Sequence, residues 1–340
     1  MKKLVIAASV LAALAAPAAS AAIELDGAGK VQMFGDFRLR AEYDDRTKMN
    51  NGVDQDRNRL RYRARLGVGY QVNDNWSAKV RLATGVSSIN SPHITFGKDS
   101  DIGFDQAYLT YKAADMKVGA GQQALNFWQS SEMLWDKDFN PAAVTYTNKF
   151  SGITLNAAHI IINEGSWGNS DDTIEFLQAV YNAGDMTGAI GFFNVNDGSV
   201  AEVITSFAGQ YKTSAMRIVV EIASSDADQE NLAYAIQFRK NLGNGKGLRI
   251  YYLHVEAQSI PGDGRYGQDD FPDQNSAGLS NFEGFRLQYD QKIDKNIAMD
   301  VRLYSMKAID ATFAGLAGPG IAYFADDDRL RLQLNINLKF

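Results

Sequence analysis

Arg329-Leu330-Arg331-Leu332-Gln333-Leu334-Asn335-Ile336-Asn337-Leu338-Lys339-Phe340 ends the chain, and its parity decides the fold. Every even position is apolar, and every odd one is charged or an amide. A period of two puts the two sets on opposite faces of a β-strand, whereas a helix would scatter both around its circumference. The pattern recurs where Leu60, Tyr62, Ala64, Leu66, Val68 and Tyr70 alternate with Arg59, Arg61, Arg63, Arg65, Gly67, Gly69 and Gln71.

The same template, carried along the chain, predicts sixteen strands. They lie near 30–43, 58–72, 75–85, 103–112, 115–123, 142–150, 153–162, 173–182, 186–195, 201–212, 215–224, 231–241, 247–257, 282–292, 296–307 and 327–340. The phase is ambiguous in 153–162, 186–195 and 247–257, where both faces carry apolar residues. Odd-numbered connections are mostly long: 44–57, 86–102, 124–141, 163–172, 258–281 and 308–326. Even-numbered ones are short, as at Asn73-Asp74, Ala113-Ala114, Ser151-Gly152 and Thr213-Ser214. That alternation belongs to an up-and-down barrel across a membrane, with short periplasmic turns and long extracellular loops. Tyr70, Trp76, Tyr111, Phe150, Tyr181, Tyr211, Phe238 and Tyr289 share the apolar phase close to short turns, the placement of an interfacial aromatic girdle. The expected fold is all-β: a transmembrane antiparallel up-and-down β-barrel of about sixteen strands.

Composition narrows the alternatives. The 340 residues are 22% charged, and the longest mostly apolar mature run, Leu155 to Ile162, is far short of the roughly 20 residues a spanning helix needs. With no cysteine, neither a disulfide framework nor a thiolate metal site is available. Met1-Lys2-Lys3, the apolar stretch 4–16 and Ala19-Ser20-Ala21 read as a leader cleaved after residue 21, with 22–340 forming one barrel domain. Removing Lys2 and Lys3, the leader's only charges, takes the net charge from −6 to −8, so nucleic acid is not an expected partner.

On these residues the chain resembles the porins of Gram-negative bacteria over its whole mature length. The terminal strand ending in Phe340 and the opening Gly35-Asp36-Phe37-Arg38-Leu39-Arg40 look like the putative-porin group. Similar openings occur in outer-membrane exporters of acidic polysaccharide. The resemblance implies an outer-membrane location, Phe340 as an assembly signal for the barrel-insertion machinery, passive passage of small solutes, and a homotrimer. It also implies that the third long loop, 124–141, folds inward, with Glu132, Asp136 and Asp138 facing Arg59 to Arg65 across a constriction.

The candidate site is a basic wall. Arg38, Arg40, Arg59, Arg61, Arg63, Arg65, Lys79 and Arg81 fall on the polar phase of three successive strands, and barrel closure adds Arg329, Arg331 and Lys339. Alternate residues are ~7 Å apart, so each like-charge pair costs about 0.6 kcal/mol in water. A mid-bilayer arginine costs about 2–4 kcal/mol, so the wall must line water, and a water-filled lumen rather than a dry plugged one is expected. Paired acids recur in the outward loops, including Asp44-Asp45, Asp171-Asp172, Asp269-Asp270 and 326–328. They are candidates for cation bridging to lipopolysaccharide, although loop tips favour Asp regardless.

No metal or other cofactor is expected. Asp54, Asp56 and Asn58 match the start of a calcium loop, but Arg59 stands where its glycine belongs. His93, His159 and His254 occur singly, the latter two inside strands where they are expected to face the lumen or pack. With no G-x-S-x-G, H-E-x-x-H or G-x-x-x-x-G-K, the chain is not expected to be an enzyme. The leading expectation is a porin passing small polar or anionic solutes. A solute-specific conduit for an acidic sugar is the near alternative, and a barrel enzyme or adhesin the distant one.

Overall fold

A computed structural model describes residues 23–28, 30–45, 56–85, 93–165, 170–199, 202–264, 266–267, 280–310 and 329–340. The leader, Asp54, Asp269-Asp270 and 326–328 lie outside the described residues. The strands are β1 Ile23–Glu24, β2 Val31–Asp45, β3 Arg57–Gln71, β4 Trp76–Thr84, β5 Ile94–Thr95, β6 Ile102–Ala113, β7 Met116–Gln122, β8 Ala142–Phe150 and β9 Ile153–Asn163. They continue as β10 Asp172–Ala183, β11 Met186–Asn196, β12 Val203–Lys212, β13 Met216–Ser225, β14 Leu232–Gly243, β15 Lys246–Val255, β16 Phe282–Lys292, β17 Ile297–Ala308 and β18 Arg329–Lys339. Sixteen coincide with the sequence prediction to within two residues at each end. The two short ones were not anticipated: β1 pairs with β2, and β5 extends the wall beside β3 beyond the end of β4.

Each long strand pairs antiparallel with the next, and β18 returns to β2 over the register Leu330↔Asp45 to Lys339↔Asp36. Every edge is thereby satisfied, the condition for a sheet in hydrocarbon. The short turns are tight; Asn244 and Gly245 at φ 49° and 73° form the left-handed pair that matches strand twist in a two-residue hairpin. At the closing seam the Gly35 and Phe340 main chains exchange hydrogen bonds of 2.9 and 3.1 Å. The Phe340 ring covers Gly35 so closely that a Cβ there would lie 2.5 Å from the ring and from the Arg65 carbonyl.

Polarity is inverted relative to a soluble protein. Phe207, Leu60 and Phe285 on the outer face are more than half exposed, whereas Gln333 and Asn335 on the inner face are fully buried. The eight girdle aromatics all lie on the outer phase at the short-turn end, with Trp76 and Tyr111 in ring contact at 4.9 Å. Bilayer hydrocarbon takes the place that a core occupies elsewhere.

The inner face corrects one expectation. Towards the long-loop end of β9–β15, the inward residues Ile160, Phe176, Phe193, Ile204, Leu253 and Val255 are buried and apolar. They pack on Met133, Trp135 and Phe139 from the loop between β7 and β8, and on Ile260 and Tyr266 from the loop after β15. Trp135 meets Phe176 and Phe193 edge-on at 5.4 and 5.7 Å, and Phe139 stacks on Tyr266 at 5.1 Å. This sector of the lumen is dry and filled. The ambiguous phases at 153–162, 186–195 and 247–257 have this cause: those strands face hydrocarbon outside and apolar loop inside.

Candidate functional site

The remaining sector is polar, and strand parity builds it. On β2 the inward residues are Asp36, Arg38, Arg40, Glu42 and Asp44, and on β3 they are Arg57 to Arg65 at every second position. Register stacks them into rows crossing three strands: Arg331, Asp44 and Arg57; Gln333, Glu42 and Arg59; Asn335, Arg40 and Arg61; Asn337, Arg38 and Arg63. Lys79 and Arg81 continue the surface on β4, where Arg81 pairs with Asp105 at 2.6 Å. All the predicted wall residues therefore share one continuous inner surface.

That surface is not purely cationic. Asp44 reaches Arg329, Arg331 and Arg57 at 2.6, 3.0 and 3.0 Å. Glu42 has Arg40, Arg57 and Arg61 at 3.9–4.0 Å and hydrogen-bonds to Arg59. Asp36 holds Arg63 at 3.0 Å and Arg65 at 2.7 Å. Asp300 on β17 accepts from Arg302, Asn335 and Asn337, and those two amides accept from Arg40 and Arg38. Buried charges persist only with such partners. Asp44, read as a loop-tip acid, lies instead inside the wall and is fully buried. Asp36, Glu42 and Asp44 share the parity of Arg38 and Arg40, and that parity was the signal available for finding them.

The 123–141 segment crosses the lumen. Gln178 on β10 donates to the Trp128 carbonyl at 2.9 Å, Arg217 on β13 donates to the Ser130 carbonyl at 3.0 Å, and Ser131 donates to Glu221. Returning, the segment brings Asp138 to Arg63 at 2.5 Å and to Arg65 at 2.7 Å. The three loop acids are not equivalent, because the segment spans the barrel. Among the contacts of the described residues, it is Asp138 that meets the wall. Glu132 binds Lys137 and lies 3.8 Å from Arg286 on the far side. Asp136 accepts the Asp138 amide at 2.6 Å and acts as a turn brace. Burial would raise the Asp138 carboxyl, but Arg63 and Arg65 overcome it and hold the group well below the usual range. Glu132, raised by burial and lowered more strongly by Lys137 and Arg286, ends at about 2.

A second basic patch was not anticipated. Arg286 lies 3.8 Å above the Tyr251 ring, Arg249 binds Asp290 at 2.6 Å, and Arg302 binds Asp300 at 2.6 Å, all on inner phases of β15–β17. Neither strand histidine faces the lumen: both sit on the outer phase, His159 paired with Glu175, and His254 bound to Glu283 at 3.0 Å and stacked on the Tyr234 ring at 4.8 Å, which is the packing role expected of it. Among the described residues, no group of three or more His, Cys, Asp or Glu side chains could hold a metal.

A sequence profile for a family described as putative porin matches residues 38–161, the stretch that holds most of the wall and the crossing segment. No curated protein matches. Among solved structures, a triple mutant of the porin of Rhodopseudomonas blastica aligns at TM-score 0.59 and 10% identity, covering 91% of this chain and 100% of its own. A loop L8 deletion mutant of OmpT, an outer-membrane protein of Vibrio cholerae, aligns at TM-score 0.56 and 11% identity, with 91% and 99% covered. The fold is thus that of a porin-like outer-membrane β-barrel.

Proposed function

We propose that the protein is an outer-membrane porin whose conducting path runs eccentrically along the charged wall and admits small polar or anionic solutes by passive diffusion. One observation carries this reading: the inner surface is divided into an apolar sector packed by two loops and a polar sector lined with ion pairs. A hydrated solute can follow only the second. Where Asp138 meets Arg63 and Arg65, Asp36 balances the same two arginines, so charge there is nearly neutral. Nearer the long-loop end, Glu42 and Asp44 meet Arg40, Arg57, Arg59, Arg61, Arg329 and Arg331, and the density of basic side chains on this surface supports a preference for anions. The same reading makes the protein an exported chain whose leader is removed after residue 21. It inserts through its Phe340 strand, assembles as a homotrimer and contacts lipopolysaccharide.

The test is conductance of the refolded protein in planar bilayers under a salt gradient. Open steps with an anion-favouring reversal potential are expected. Cation-favouring steps would overturn control by the wall, and a membrane without steps would overturn the channel.

A further inference from the structure

A chamber of about 1070 Å³ opens at the short-turn end of the lumen, between the inner faces of β2–β4 and β6–β8. We propose that it is a binding subsite for compact anions carrying two or more charges; the proposal rests on the channel reading. Five lysines line it, Lys30, Lys79, Lys112, Lys117 and Lys149, against two acids, Asp74 and Asp115. Its size is at the upper end of small-molecule sites, roughly 300–1,000 Å³.

The lysines differ from the wall above them. Most of the wall's arginines are tied to carboxylates, whereas none of these five ammonium groups forms a salt bridge among the described residues; Lys79 lies over the Phe34 ring at 4.3 Å. Lys112 and Lys117 stand directly opposite each other across β6 and β7, and Lys117 is opposite Thr147 on β8. Like charges opposite each other weaken a strand pair, and among the described residues no salt bridge offsets this one. A bridging anion would. Thr110 and Tyr108 line the same space and can donate neutral hydrogen bonds.

The residue type sets the ligand class. An ammonium is a compact point charge without the planar fork of guanidinium, so the chamber reads charge density rather than geometry. Carboxylates and phosphates both qualify, provided that one molecule carries enough charge to span several lysines. Lys79 follows Arg81 on the same inner face of β4, so an anion leaving the constriction enters the chamber directly.

The experiment is single-channel recording with citrate or pyrophosphate added to one side of the bilayer, and acetate at equal ionic strength as the monovalent control. Wild-type channels are expected to show block from one face only, by citrate and pyrophosphate and not by acetate. Preference between the two blockers identifies the carboxylate or phosphate source. The double substitution Lys112→Gln and Lys117→Gln is expected to raise the half-blocking concentration about tenfold, in channels that still open in chloride. Lys149→Gln, at the chamber's far side, should give a smaller shift in the same direction. Block that is equal from both faces, or unaltered in the lysine variants, overturns the chamber and leaves the channel standing. A wild type without open steps overturns both.

Discussion

Replacing Asp138 by Asn removes one charge from the constriction and nearly preserves the side chain's shape. In the wild type this carboxylate lies 2.5 Å from Arg63 and 2.7 Å from Arg65. Neither arginine is stranded by its loss, because Asp36 remains 3.0 Å from Arg63 and 2.7 Å from Arg65. The segment also stays docked through Trp135, Phe139 and the hydrogen bonds to β10 and β13. An ion passing ~7 Å away loses about 0.6 kcal/mol of interaction at water's dielectric. Screening at 0.1 M salt cuts this to about half. Anion entry then rises, and cation entry falls, by about 1.6- to 2.7-fold each, so the anion-to-cation permeability ratio increases roughly three- to sevenfold. Reversal potential under a potassium chloride gradient measures that ratio, and tryptophan fluorescence reports whether the segment has stayed docked. An unchanged or cation-shifted potential with the segment docked would refute the claim that Asp138 borders the conducting path.

Three other outcomes are expected. Trp135→Ala removes the ring wedged against Phe176 and Phe193 and should cost the docked segment about 3–5 kcal/mol, read as larger, noisier conductance steps; unchanged steps would show that the segment does not limit the path. Acid should release the segment late: Glu132 is depressed on folding, so its contribution is fully present above its ordinary pKa of 4.5 and is lost as pH falls towards about 2, with Asp138 moving in the same direction. Conductance of a Glu221→Gln variant, which takes the third carboxyl of the docking contacts out of the titration, should hold its level from pH 7 down to about pH 4, and a change at pH 5–6 in that variant would contradict the assignment. Gly35→Val should clash with the Phe340 ring and the Arg65 carbonyl, destabilising the closed barrel by about 1–3 kcal/mol and lowering the folded fraction seen by heat-modifiable gel mobility.

The strands were legible because period-two alternation and turn spacing are local, and lipid on one side with solvated groups on the other reinforces the pattern. β18 and β3 show this at full strength. The same rule failed where both faces of a strand are apolar for different reasons. In β9, β11 and β15 the inner residues await loops that arrive from distant sequence, and no strand pattern announces them. Wall membership is legible in parity, and so is the presence of acids in it, because Asp36, Glu42 and Asp44 stand in phase with the arginines; which arginine each acid binds depends on the register between strands. The separation of Glu132 from Asp138 could not have been inferred, since it depends on how far the crossing segment reaches. Arg249, Arg286 and Arg302 were visible only as isolated residues until register joined β15 to β17.

The seam has a consequence for biosynthesis. Its side-chain bonds join Arg38 to Asn337 and Arg40 to Asn335, partners 299 and 295 residues apart. The first long strand therefore waits for nearly the whole chain to be made before its second neighbour exists. Until then β2 and whichever strand is newest each present a row of unpaired main-chain groups, a template for aggregation. Closure is all-or-none, governed by contacts of the longest possible range, and such contacts form slowly. A chain truncated even within β18 would lose the Gly35–Phe340 lock as well as part of the amide network around Asp300. Whatever interrupts β18 therefore leaves β2 with an open edge and the sheet unsealed.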